Sequence, residues 1–181
     1  MILFAALPIP DGIALDLARL QKGVSGARWR PREALHVTVC YFGEVTDDEA
    51  EELDRHIASR PFPPLDLSLS GAGHYGSNPP HALWTAVADN PALTRLHEHC
   101  KTSARRAGIT VERRLYRPHL TLAYLREDVD PERVIRFEQR LAGWKSEPFL
   151  ADELQLWSSH RKKTGPNLYR VEATYPLSGA G

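Results

Sequence analysis

Only two cysteines occur in the chain, Cys40 and Cys100. A lone pair so far apart sets up neither a disulfide framework nor a paired metal-ligand spacing. That excludes a stapled secreted scaffold and a zinc module, and a reduced, cytoplasmic setting is expected. Excess charge is missing as well: 23 Lys and Arg stand against 23 Asp and Glu in 181 residues, a formal net charge of zero. No global field then pulls the molecule onto nucleic acid or membrane, so an anionic partner has to be held by a local site. Long apolar runs are also lacking. The opening run, 2–8, is far too short to cross a bilayer and has no basic flank, so neither a transmembrane helix nor a signal peptide is expected. The 14 prolines fall mostly between apolar stretches rather than in a low-complexity tract.

What is present is ordinary globular material. Hydrophobic residues make up 42% and charged residues 25%, which excludes a disordered or collagen-like chain and allows a sizeable core. Residues 2–7 read as a strand, followed by a helix over 11–23 with Asp11 as cap. Alternation predicts a strand at 35–42, and Thr46-Asp47-Asp48-Glu49 is a capping-box signature opening an acidic helix to about residue 59. Strands follow at 65–69 and 81–88, separated by a loop at 71–80 rich in Gly, Ser, Asn and Pro. Asn90-Pro91 starts a helix that Gly108 ends, 117–125 is a strand, and Asp130-Pro131 opens a helix to about residue 141. Two closing strands, 149–158 and 168–175, flank a basic turn of Arg161, Lys162, Lys163, Thr164 and Gly165. Strands and helices mix without regular alternation, which predicts an α+β fold with largely antiparallel sheets.

An internal echo organises these pieces. HVTVCYFGEVTDDE (36–49) aligns with HLTLAYLREDVDPE (119–132) at an offset of 83, and six of the fourteen positions are identical. Each copy runs from an alternating strand through an acidic turn into a capped helix. The expected architecture is therefore a duplicated domain spanning 1–181, its two lobes related by an approximate two-fold.

The chemistry sits on the same echo. Side chains two apart on a strand share a face, so His36 stands beside Thr38 and His119 beside Thr121, while Val37, Val39, Leu120 and Leu122 point into a core. Two imidazoles and two hydroxyls then converge. Near neutral pH one ring can accept a proton while the other gives one, and the hydroxyls can hold the oxygens of an anionic phosphorus centre. With eight His and nine Thr in the chain, chance supplies only about 0.4 His-x-Thr triples, so two in a repeated context carry weight. No metal and no cofactor is called for.

The paired motifs resemble those of the two-histidine (2H) phosphoesterases, in particular the RNA 2′,3′-cyclic phosphodiesterases once called 2′-5′ RNA ligases. The likeness extends through LFAALPIP, RWRPREALHVTVCYFGEV, HALWTAV, RRLYRPHLTLAYL, ELQLWSSH and YRVEATYPL. It implies a bilobal α+β fold, with two antiparallel sheets facing across a central groove and helices on the outside. It also implies hydrolysis of a 2′,3′-cyclic phosphate to a 2′-phosphate, with His36 as proton donor to the departing 3′ oxygen, His119 as base, and Thr38 and Thr121 holding the phosphate. The implied partner is an RNA bearing a 2′,3′-cyclic phosphate end, or a cyclic nucleotide. Two departures stand out. Val39 replaces a common Leu, and Tyr124 stands where many relatives have Arg; Arg126, two residues along, is expected to share Tyr124's face and compensate.

Other candidates are less specific. Six basic residues between Lys101 and Arg117, Arg114 among them, together with the basic turn offer a path for an RNA backbone, with Arg117 beside His119 the best single choice. Trp29, Tyr41, Trp84, Tyr116, Tyr124 and Trp157 could stack on a base, although such residues more often pack in a core. Cys40, two beyond Thr38, is expected on the polar face, yet the second copy has Ala123 there, so the duplicated chemistry needs no thiol. A monomer is expected. Competing readings are an RNA-end-binding module with little catalysis, and a 2H enzyme acting on another small cyclic phosphate or joining RNA 2′-5′.

Overall fold

Alternating polar and aliphatic residues build two strands that lie side by side at the centre of the molecule, β3 (His36–Glu44) and β7 (His119–Leu125). The computed structural model describes residues 1–113, 115–160 and 167–179. Before β3 come β1 (Ile2–Pro8), α1 (Asp11–Leu20), the short β2 (Ala27–Trp29) and a 3₁₀ turn at Arg32–Ala34. Between the central strands lie α2 (Asp47–Ala58), β4 (Leu65–Leu67), β5 (Leu69–Tyr75), β6 (Ala82–Val87) and α3 (Pro91–Arg106). After β7 follow α4 (Pro131–Leu141), β8 (Phe149–Ala151), β9 (Glu153–His160) and β10 (Leu168–Pro176). The fold is α+β with antiparallel strand pairs, as the irregular mixture of elements predicts.

The strands expected to form two separate sheets are joined. One large sheet runs β10-β9-β1-β3-β7-β6-β5, with β2 against β7, and a small second sheet pairs β4 with β8. The join is a single ladder position, Val37 opposite Leu120, and both side chains are fully buried. These two apolar side chains face the core, while the polar residues flanking them, His36, Thr38, His119 and Thr121, are only partly buried.

Register repeats between the two halves of the sheet. On β1 and β3, Ala5 faces Cys40 and Ala6 faces Thr38; on β6 and β7, Leu83 faces Ala123 and Trp84 faces Thr121. Each central strand therefore carries an extra residue at the matching place, Val39 in β3 and Leu122 in β7, and β3 has a second one at Phe42. Such a bulge bends the strand and resets its alternation. Upstream of it His36 and Thr38, or His119 and Thr121, share the groove face; downstream, Tyr41 and Tyr124 return to that face and Cys40 and Ala123 turn inward. Cys40 thus lies in the core at 2% exposure, where burial pushes its thiol up to about 12. The expectation that it shares Thr38's face fails because the bulge inserts a step that simple alternation does not contain.

Most helix ends follow their sequence signals. Thr46 and Glu49 form a reciprocal capping box on α2, Asn90 accepts from the backbone N–H of Leu93 at 3.0 Å, and Asp130 accepts from that of Glu132 at 3.0 Å. Helix α1 differs: Asp11 is its first helical residue with no side-chain cap, and it stops at Leu20 rather than near residue 23. The predicted closing strand 149–158 breaks into β8 and β9, and they pair with different partners. Half of the predicted 71–80 loop is strand β5. Its Gly73 is what allows the indole of Trp84 to lie across the neighbouring strand, since a Cβ there would overlap the ring.

One face of the large sheet packs on the helices through Leu3, Leu7, Leu17, Leu53, Leu93, Leu120 and Leu141, each 1% exposed or less. The other face carries a small cluster, Phe4, Ala6 and Trp157 with Tyr169 against it. Among the described residues no helix is long and apolar enough to cross a membrane.

Candidate active site

The polar face of the β3–β7 pair holds the four residues of the two motifs. Extending the Val37–Leu120 register by one residue sets His36 opposite Thr121 and Thr38 opposite His119. Directly opposed positions lie about 4.5–5.5 Å apart and diagonal ones about 7–8 Å, so the imidazoles sit on one diagonal and the hydroxyls on the other. The two rings are near enough for charge on His119 to disfavour protonation of His36.

Each imidazole is anchored in the same way. The Nδ1 of His36 lies 2.9 Å from the carbonyl of Ala34, and the Nδ1 of His119 lies 2.8 Å from that of Arg117, in both cases two residues upstream. A carbonyl only accepts, so Nδ1 carries the hydrogen and Nε2 is left as the working nitrogen. Tyr75 adds a hydroxyl 3.2 Å from the Nδ1 of His119. The hydroxyls of Thr38 and Thr121 make no hydrogen bond among the described residues, so both are available to a ligand.

The walls around the two rings differ. His36 is packed among Phe4, Trp157 and Tyr169, with ring centroids 5.2, 4.9 and 6.0 Å away. His119 meets Tyr75 edge-on at 5.1 Å and Trp84 at 6.3 Å. The repeated register explains the asymmetry: bulk supplied at Phe4 in one half is Ala82 in the other, and Ala6 is matched by Trp84. Burial in this apolar surround pushes the pKa of His36 down to about 4; the hydrogen bond to Ala34 opposes the shift, and the charges of Arg30 and His119 add to it.

Two cavities open on the groove and share Thr38 and Tyr41. One of about 230 Å³ is lined by His36, Thr121, Tyr124, Tyr169 and Arg30; the other, about 660 Å³, by His119, Tyr75, His81, Tyr116 and Arg117. The larger lies within the range of small-molecule sites. Among the described residues no three His, Cys, Asp or Glu side chains cluster to hold a metal ion.

The model of the 2′-5′ RNA ligase superfamily fits residues 9–163. The chain belongs to that superfamily. Among its relatives, the RNA 2′,3′-cyclic phosphodiesterase of Bacillus subtilis is 28% identical over 161 residues, 84% of this chain and 87% of that one. The enzyme of the same name from Thermotoga maritima is 25% identical over 160 residues, 86% and 82% of the two chains. In structure, E. coli LigT superposes with a TM-score of 0.79 at 21% identity, covering 98% of both chains, and Thermus thermophilus TT0787 with 0.77 at 21%, covering both fully. LigT has also been crystallised with 3′-AMP, and that form superposes with a TM-score of 0.78.

Within this 2′-5′ RNA ligase superfamily chain the remaining candidates separate. Tyr41, 55% exposed, lines both cavities, and Tyr124 faces the groove at 40% exposure. The side chain of Arg117 lines the larger cavity while its carbonyl orients His119. Trp84 lines neither cavity; it packs over β5 and beside His119, with its Nε1 buried and unpartnered. Trp29 packs on Phe137, and Tyr116 stacks on His97 at 3.9 Å while donating to the carbonyl of Thr38. Arg126 does not continue the strand that carries Tyr124, as the expectation of a shared face required. Strand β7 ends at Leu125, and the exposed Arg126 guanidinium pairs with Asp128 at 3.1 Å instead of facing the groove. Of the basic residues, Lys101 pairs with Glu98 at 2.9 Å, while Arg114 and the turn 161–165 lie outside the described residues.

The sequence pattern passes over Arg30. It follows β2, is 6% exposed, and reaches the His36 cavity with its guanidinium 4.9 Å from the ring of Tyr169 and 5.6 Å from that of Tyr124. Its Nη2 is buried without a partner. Only its place in Trp29-Arg30-Pro31, just ahead of the first motif, hints at this in the sequence.

Proposed function

We propose that the protein hydrolyses the 2′,3′-cyclic phosphate of an RNA end or nucleotide to a 2′-phosphate by acid–base catalysis between His36 and His119. The observation that carries this reading is the diagonal pair of imidazoles, each with Nδ1 tied to a backbone carbonyl and Nε2 free, flanking two unengaged threonine hydroxyls. The names of the B. subtilis and T. maritima relatives support the same substrate class.

In this mechanism the phosphate rests between Thr38 and Thr121, and the nucleoside occupies the larger cavity. Nε2 of His119 takes a proton from water as its oxygen bonds to phosphorus. The bond from phosphorus to O3′ breaks, and Nε2 of His36 delivers a proton to that oxygen. Product is a 3′-hydroxyl beside a 2′-phosphate. The threonine hydroxyls hold the non-bridging oxygens as negative charge builds on them. In the free protein His36 is neutral at pH 7, so it becomes the acid only when the phosphate anion enters and favours its protonated form.

The same reading takes the whole chain as one duplicated, bilobal domain. Leaving aside the short β2, each repeat is β-α-β-α-β-β, drawn from β1 to β5 and then β6 to β9, and the repeated register with its matching bulges supports this. Incubation of the protein with a 2′,3′-cyclic mononucleotide and a chelator tests the function, with the product resolved by phosphorus NMR. A 2′-monophosphate is expected; unchanged substrate, or turnover only after a divalent ion is added, would refute it.

A further inference from the structure

We infer that Arg30 is the grip on the reacting phosphate, its buried guanidinium donating through the unpartnered Nη2 to a non-bridging oxygen held beside His36 and the two threonines. The inference rests on the phosphodiester reading and adds a residue that neither motif contains.

A buried guanidinium needs an acceptor. Arg30 has none: among the described residues no carboxylate pairs with it, and its Nη2 makes no hydrogen bond. The rings of Tyr169 and Tyr124 lie against the cation but cannot accept its in-plane N–H groups. Nothing suggests a residue placed loosely. Its backbone N–H donates to the carbonyl of Leu122 at 2.9 Å, and its carbonyl accepts from Nε2 of Gln21 at 2.8 Å. Gln21 also donates to Leu122, so loop, β2 and the bulge residue of β7 are tied at one point. A cation so fixed, in a cavity with an imidazole and two free hydroxyls, is a preorganised receptor for an oxyanion.

Position agrees with this. The sequence draws attention to Tyr124 as the place where a guanidinium is missing, and Arg126 is committed to Asp128. Arg30 instead arrives from the neighbouring strand and lies over the Tyr124 ring. It also supplies a logic for His36. The positive charge of Arg30 helps keep the His36 imidazole neutral, and an anion bound to Arg30 offsets that charge, so phosphate binding and arming of the acid are one event.

Arg30→Met keeps the aliphatic stem and removes the charge; Arg30→Lys keeps a charge and removes the fork. Circular dichroism and thermal melting check that each variant is folded. Binding of inorganic phosphate is followed by NMR of the histidine rings, and kcat and KM are measured on a 2′,3′-cyclic mononucleotide across pH. Arg30→Met is expected to weaken phosphate binding and to lower kcat/KM by about 10²- to 10³-fold, as for removal of one preorganised donor. It should also move the limb of the pH profile belonging to His36 upward. Arg30→Lys is expected to recover part of the binding while staying about tenfold below wild type in kcat/KM, because a point charge lacks the planar fork. If Arg30→Met binds phosphate and turns over like wild type, the inference is overturned. If Arg30→Met does not fold, wild-type values for Arg30→Lys in both assays overturn it equally. A wild-type protein that binds phosphate through Arg30 yet leaves every 2′,3′-cyclic phosphate intact would refute the phosphodiesterase reading alone.

Discussion

Acid should destabilise this protein through His36 in a way that a single substitution can isolate. The ring is ordinarily half protonated near pH 6.5, and in the folded protein only near pH 4, because Phe4, Trp157 and Tyr169 exclude water from it. Between those values the unfolded chain binds a proton that the folded chain refuses, so stability is complete above pH 6.5 and is lost as pH falls toward 4. At 1.36 kcal/mol per unit, the window amounts to about 3 kcal/mol. His36→Gln has no proton to gain. Urea unfolding of both proteins at pH 7, 6, 5 and 4, followed by tryptophan fluorescence, should show wild type losing about 3 kcal/mol more than the variant over that range. Phosphate-free buffer is required, since an anion beside Arg30 raises the folded-state value and shrinks the effect. Carboxylates and His97 titrate in both proteins and cancel. Parallel curves, agreeing within about 0.5 kcal/mol, would refute the claim that the aromatic wall desolvates His36.

His36→Ala and His119→Ala should each lower kcat by about 10²- to 10⁴-fold, and the double variant should be little worse than the poorer single one, because the rings act as a unit. Independent, multiplying losses in steady-state kinetics would count against a shared proton circuit. Gly73→Ala should cost about 1–3 kcal/mol in thermal or urea melts, since the new methyl displaces the Trp84 ring; an unchanged melt would contradict that packing. Cys40 should stay silent toward a thiol reagent at pH 8 in the folded protein and react once urea is added, its thiol being buried with a pKa pushed up to about 12. Arg126→Gln should leave turnover within about twofold of wild type, because it removes only an exposed pair with Asp128.

The fold class and the motif faces were legible because alternation and capping are local signals. His36, Thr38, His119 and Thr121 needed only the two-residue period of a strand, and α2, α3 and α4 announce themselves through Thr46, Asn90 and Asp130. The bulges were not legible. One extra residue at Val39 and at Leu122 reverses the phase of the residues that follow it, so Cys40 reads as outward when it lies inward. The glycines of β5 look like a loop, since the reason for Gly73 is a tryptophan on another strand. Arg30 was barely legible: its place just ahead of the first motif is a slight hint, and what marks it is burial beside His36 in space. Arg126 misleads for the opposite reason: its partner Asp128 is close in sequence, but the end of β7 at Leu125 is not marked by any residue pattern.

The edge of the sheet beside the first motif has a consequence for how the molecule is made. Strand β1 is completed on its far side by β9, so residues 2–6 wait for residues 155–159 before their hydrogen-bonding edge is covered. During synthesis the first half must therefore emerge with an open, aggregation-prone border, and long-range closure of this kind slows folding. The wall that dries His36 is assembled from Phe4 of β1, Trp157 of β9 and Tyr169 of β10, far apart in sequence. A nascent chain or a degradation fragment lacking β9 and β10 would carry His36 in water, and the dry environment of the site would form only once those two strands dock.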